Sequence, residues 1–262
     1  MTIENLVQSI LNASWGIYLV FIFIFIFMRI PKRKVFAPYQ RSRGFMVVAF
    51  FFLFSQIFLG WMLPKNTLSA EVLAAIDIPF FYIEFIFLCL AFFHLLDHSF
   101  GTYKRVLFDL LSWCAVCATC LTSLTIKNHT FQIILAFVGG VMLICFTIVC
   151  VLRFLRLHKI ARTQLDNYYT DQMYNFVLWI RRSVMFIVLF GVFSVVVLFA
   201  PYIYRVVYFV TATIMNVYIA VSFINYSFVF ERVERSFRLS YEQQILLKKL
   251  KSATQALKRK IF

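Results

Sequence analysis

HLLDH, at residues 94–98, places His94 and His98 four apart. On a helix they share one face, the spacing a helical metal site uses. Asp97 stands beside them, and Asp109 follows after a short connection. Three readings stay open for these four groups. They could converge on a metal, the histidine pair could sense protons, or all could be polar residues at a membrane boundary, bonded to headgroups, water, Lys104 or Arg105. The chain has four His in all, the others being His129 and His158, far fewer than a diiron membrane oxygenase needs.

Glu84, in IPFFYIEFIFL, is an acid well inside an apolar run. Such a group is costly in lipid and faces the bundle interior or a cavity. Asn216, Asn225, Ser112, Thr119, Thr122 and Ser123 are its potential partners by type. One reading is an interhelical hydrogen bond worth roughly 1 kcal/mol. The other is a ligand pocket with Glu84 at its polar end, joined by Asn216 and Asn225. His94 is ten residues further on, about 15 Å along a helix, so these are separate sites. Cys114, Cys117 and Cys120 form CxxCxxC with no flanking His or carboxylate. All six Cys lie in apolar runs and read as small buried hydrophobes, not a disulfide framework. GxSxG, HExxH, a phosphate loop and paired catalytic carboxylates are missing from the sequence. The expectation is a protein without a catalytic site or a cofactor.

The elements that must hold these residues are membrane spans. Soluble domains are about 45–50% apolar; this chain is 63% apolar, 14% charged, and carries 34 Phe in 262 residues. Its mean hydropathy is +0.86. A soluble core cannot hide that surface, so lipid must solvate much of it. Runs of roughly 20 apolar residues occur at about 12–30, 45–63, 78–96, 106–126, 130–152, 183–200 and 206–229. The first follows MTIENLVQSILNAS, which lacks a basic leader and a cleavage site, so it reads as a retained span. The fourth contains CAVCATCLTSLT. Its small, mildly polar composition suits contact with neighbouring helices rather than lipid. Gly139 and Gly140 in the fifth suit a close helix approach or a bend.

Charge then orients the bundle. With seven spans, 23 of the 26 Lys and Arg fall on one side, and Lys65, Lys127 and Arg205 on the other. The positive-inside rule puts the N-terminus out and the C-terminus in the cytoplasm. The net charge of +15 is thus topological and lipid-facing. Anionic headgroups are the expected partner, and direct nucleic-acid binding is not, since no reading module is visible. No internal repeat supports an inverted-repeat transporter. The predicted fold is an all-α, seven-transmembrane bundle at residues 1–230 with a basic amphipathic tail at 231–262. Its expected home is the inner, cytoplasmic membrane.

Two cytoplasmic segments stand out. LDNYYTDQMYNFVLWIRR, residues 165–182, joins spans five and six. The fifth span should continue as a helix through FLRLHKIARTQ and break at Asp166–Asn167. Thr170 or Asp171 can cap a second short helix. Met173, Phe176, Val177 and Ile180 give it one apolar face. Trp179 and the tyrosines suit the headgroup level, and Arg181–Arg182 fix the start of span six. The segment either connects two spans as an interfacial helix or acts as a relay, with Asp166, Asn167, Tyr168, Tyr169, Asp171 and Trp179 as its residues. Asp166 and Asp171 could dock a basic partner such as the tail. In the tail, Leu246, Leu250, Ala253, Leu257 and Ile261 form a stripe among Lys and Arg. It could lie on anionic lipid, pair with a second copy, or lead to an effector.

LDNYYTDQ, the WIRR start of the next span and the NYSFVFERVE exit from the last resemble the membrane-sensor half of Bacteroidetes multi-span regulators of the AraC-type helix-turn-helix class. The resemblance covers about residues 1–240 and implies a sensor fold. In that family a DNA-binding domain follows the last span. Here none is expected within 262 residues, and no DNA-contacting residue carries over. The resulting expectation is a sensor or receptor module, relaying an outer or intramembrane signal to the loop and tail. A cytoplasmic protein or a second copy would be its partner. A small-solute or ion transporter and a membrane assembly or structural protein are the alternatives.

Overall fold

A computed structural model of the chain describes residues 3–31, 33–62, 70–97, 103–126, 128–166, 175–198, 200, 203–204 and 206–231. His98, Asn167, Tyr168, Tyr169, Asp171 and the tail beyond residue 231 lie outside the described residues. The described chain is all helix with no strand. Helix α1 spans Ile3–Phe27, and a 3-10 turn at Lys34–Phe36 leads into α2, Ala37–Met62. Then follow α3 (Ala70–Leu96), α4 (Tyr103–Thr125), α5 (His129–Asp166), α6 (Asn175–Leu198) and α7 (Val206–Glu231).

Five helices are long and apolar enough to cross a membrane: α2, α3, α4, α5 and α7. Helix α1 adds a shorter apolar stretch, Asn12–Phe27. The chain is therefore a multi-helix membrane protein by length and composition. Helices suit that setting because they satisfy their own backbone polar groups without water. The outward-facing large apolar side chains, such as Phe108, Phe137, Leu152 and Phe228, need a lipid solvent.

Consecutive helices run antiparallel. On α1 and α2, Trp15 meets Phe54 while Arg43 donates to the Met28 carbonyl at 2.7 Å. On α3 and α4, Trp113 Nε1 donates to the Pro79 carbonyl at 2.9 Å and Tyr82 Oη to Ser112 Oγ at 3.1 Å. Helix α3 is the hub and packs against α2, α4, α5 and α6. In its most apolar stretch 61% of residues are buried, against 22% in α4. This corrects the expectation that the small-residue fourth span faces neighbouring helices rather than lipid. Only one of its faces does so. Val116, Cys120 and Ser123 are buried, while Leu107, Phe108, Leu111 and Leu121 are exposed.

The cysteine run shows the same geometry. Cys120 is buried, Cys117 intermediate and Cys114 exposed, and Cys145 of α5 is exposed too. A spacing of three falls about 60° short of a full helical turn, so the run walks off the packed face. The reading of all six as buried therefore fails for Cys114 and Cys145. Gly139 supplies the close approach: a Cβ there would stand 3.3 Å from Cys120 Sγ and 3.5 Å from Ile78 Cγ2.

Helix α5 runs through FLRLHKIARTQ to Asp166 as expected. Helix α6 differs from expectation. It begins at Asn175 and continues unbroken through Arg181 and Arg182 to Leu198. Among the described residues, the segment expected to form a separate short helix is thus the first turns of α6. Backbone hydrogen bonding does not stop where side chains turn polar, so two segments distinguished by hydropathy form one rod.

Candidate functional site

Polar side chains are buried in both halves of the bundle, among them Gln56, Ser194, Thr213 and Asn216 in the half where α1, α3 and α7 begin, and Ser42, His94, Asp109 and His158 in the other. A cavity of about 50 Å³ lies between α1, α2, α3, α6 and α7. Tyr18, Gln56, Glu84, Ser194, Tyr208 and Asn216 supply its polar wall. Phe81, Phe85, Phe186 and Phe190 supply much of the rest. One water needs at least about 10–15 Å³ of such space. The cavity therefore has room for a few waters or one ligand of a handful of heavy atoms.

One hydrogen-bonded chain ties α1 to α7. Asn216 Nδ2 donates to Tyr18 Oη at 3.1 Å, and Tyr18 Oη donates to Thr213 Oγ1 at 3.2 Å. Thr213 Oγ1 stands 3.1 Å from Ser14 Oγ and 2.8 Å from the Phe209 carbonyl, either of which can accept its hydrogen. Ser14 Oγ donates to the Ile10 carbonyl at 2.9 Å. Across the cavity, Tyr208 Oη donates to the Phe190 carbonyl at 3.2 Å and fastens α7 to α6. Gln56 Nε2 donates to Asp77 Oδ1 at 3.2 Å and fastens α2 to α3.

Glu84 differs from all of these. Its side chain is half-buried and borders the cavity. No hydrogen bond or ion pair joins its carboxylate to the described residues. Ser112, Thr119, Thr122 and Ser123 do not serve it. Each hydroxyl donates instead to a carbonyl of its own helix, at 2.6–2.8 Å, the usual local outlet for Ser and Thr within helices. Asn216 shares the cavity with Glu84, whereas Asn225 stands on an exposed face of α7.

The HLLDH region is arranged differently from the four-ligand picture. His94 is 1% exposed and meets the Phe45 ring edge-on at 6.2 Å. Asp97 lies just past the end of α3, its N–H donating to the Phe93 carbonyl at 2.8 Å. Asp109 faces Arg153 of α5, with Nη1 and Oδ1 3.7 Å apart. The Asp109 side chain is 6% exposed and that of Arg153 36%, so the pair straddles the bundle's edge. Among the described residues, no group of three or more His, Cys, Asp and Glu could hold a metal. Asp109 was expected beside the histidines because depth alone was used; its partner on α5 comes from packing.

Trp179 was expected at headgroup level and is found between helices. Its ring meets Phe92 of α3 at 5.6 Å, and Phe223 and Tyr226 of α7 at 6.5 and 5.2 Å. Its indole N–H has no hydrogen-bond partner among the described residues. Asp166 is the last residue of α5.

Sequence reasoning missed Tyr18, Tyr208, Thr213, Ser14, Gln56 and Asp77. Gln56 and Asp77 carried a signal, the first being a polar residue inside an apolar run and the second one at the edge of a run. Asp77 was placed outside its span because that span was started at residue 78, whereas α3 begins at Ala70. The two phenols had no such signal among 13 Tyr. Compared with known proteins, the chain matches no family model, no curated protein and no solved structure.

Proposed function

We propose that this chain is a seven-span receptor module of the cytoplasmic membrane, N-terminus out and C-terminus in. A small ligand in the Glu84 cavity biases the opposite, cytoplasmic end. The observation that carries the reading is an acid with no hydrogen-bond or ion-pair partner among the described residues, bordering a cavity walled by five helices. A carboxylate left so in lipid is destabilising, and a ligand that completes it would recover that cost. Helices α3, α6 and α7 wall the cavity and also carry the Trp179 contacts. A shift at one end of these rods is therefore felt at the other. The relay segment 165–182, the tail and a cytoplasmic protein or second copy would read it out. Anionic lipid would hold the basic rim. The likeness of LDNYYTDQ and WIRR to AraC-class membrane sensors agrees with this role.

A solute path is less well supported. It needs polar groups in series, and Asn225, nine residues beyond Asn216, faces outward instead. The test fills the cavity with Ala212→Phe and compares hydrogen exchange of wild type and variant in lipid nanodiscs. Altered protection across residues 175–185 and 223–231 is expected. Identical exchange there, or vesicle uptake of a solute that Ala212→Phe blocks, would sink the receptor reading.

A further inference from the structure

The geometry points to a small protonated amine as the occupant of the Glu84 cavity, an inference that rests on the ligand-binding reading above. The unused hydrogen-bonding capacity of the wall decides the class. Tyr18 and Tyr208 have committed their O–H hydrogens to Thr213 and to the Phe190 carbonyl. Ser194 has committed its own to the Gly191 carbonyl at 2.8 Å. Asn216 and Gln56 have each committed one N–H. What remains toward the cavity is mainly acceptor: the Glu84 carboxylate, the amide oxygens of Asn216 and Gln56, and phenol lone pairs. A ligand rich in donors fits this wall, and an anion does not.

Charge agrees. Among the described residues, no Lys, Arg or His borders the cavity, so none of them supplies a cation to Glu84 from within it. The five phenylalanines of the lining, Phe209 being the fifth, add rings whose faces attract cations once water is excluded. An ammonium headgroup with a short alkyl part uses both features, the carboxylate for the N–H donors and the rings for the carbon. The volume of about 50 Å³ restricts the amine to a few heavy atoms. A bare metal cation would leave the aromatic wall unused.

The probes are ethylammonium chloride, ethanol as its neutral counterpart, and sodium chloride, read by thermal unfolding of the purified chain in lipid nanodiscs. Ethylammonium should raise the melting temperature by roughly 5 °C near saturation, with no rise from ethanol or sodium. Glu84→Gln should weaken ethylammonium binding by about tenfold or more, and Glu84→Asp should retain part of it. If Glu84→Gln fails to fold, Ala212→Phe serves, and it should abolish the ethylammonium shift. A shift from ethanol but not ethylammonium, removed by Ala212→Phe, would overturn the amine and leave a ligand pocket. Melting that responds to pH through Glu84 but to no amine would mean the occupant is a proton, and would also overturn it. If no probe shifts melting and Ala212→Phe leaves the exchange at Trp179 unchanged, the pocket reading falls as well.

Discussion

The Glu84 half of the bundle and the Trp179 half share helices α3, α6 and α7, yet they are filled in opposite ways. Around Glu84, hydroxyls and amides from different helices bond one another and leave a space. Around Trp179, rings close on rings and leave little space, although that half also buries Ser42, His94, His158 and Ser183. Tyr39 stacks on Phe223 at 4.8 Å and donates its O–H to the Phe223 carbonyl at 2.7 Å. Phe36 and Tyr226 pack on Phe230 at 5.7 Å each. Interior space left beside an unpaired carboxylate is a cost that pure stability would remove. Tight aromatic packing is what stability alone would select. The contrast is between a half that keeps a space beside an acid and a half packed ring on ring.

Substitutions can break that contrast, and they differ in size. Phe223→Ala in the filled half should cost about 3–5 kcal/mol, because truncating a buried ring leaves a cavity; thermal unfolding in detergent measures it. Glu84→Leu in the hollow half should do the reverse and stabilise by about 1–2 kcal/mol, as removal of an unpaired polar group in an apolar site does. If both substitutions destabilise equally, the two halves are not different in kind. Tyr18→Phe removes one donor from the α1–α7 chain and leaves Asn216 Nδ2 without its acceptor. A loss of about 1 kcal/mol is expected, seen as faster hydrogen exchange around residues 14–18. Arg33→Ala should matter least. The Arg33–Glu231 pair spans 3.3 Å with the arginine 66% exposed. Such a surface pair is worth at most about 0.5–1 kcal/mol, and its contribution should fade as salt is raised.

Several of these features were legible before any coordinates. Helix class, membrane residence and the approximate place of each helix follow from the apolar runs. The ends do not. Helix α3 starts eight residues before its expected span, at Ala70, whereas the run of α5 beyond its apolar stretch to Asp166 was expected. Hydropathy marks where lipid touches a helix, whereas the backbone ladder continues beyond it. Glu84 and Asn216 were found because a polar group in an apolar run is conspicuous. Their neighbours Tyr18 and Tyr208 look like any interfacial tyrosine. Faces were the least legible property. A helix apolar all round gives no periodic signal, since lipid and core accept the same side chains. The reversal at α4 has that origin: small residues permit close packing without requiring it.

Helix α5 carries one more consequence. Its 38 residues measure about 57 Å by helix rise, against a hydrocarbon layer of about 30 Å. The remainder must stand clear of the lipid as a mast. Gly139, held close against Cys120 and Ile78, lies about 40 Å from the tip at Asp166 by the same rise. Over that arm, a tilt of about 5° at Gly139 sweeps the tip through about 3.5 Å. Phe154, His158 and Ala161 are still buried along that length, so the reach of α5 beyond the lipid is braced by its neighbours for most of its course.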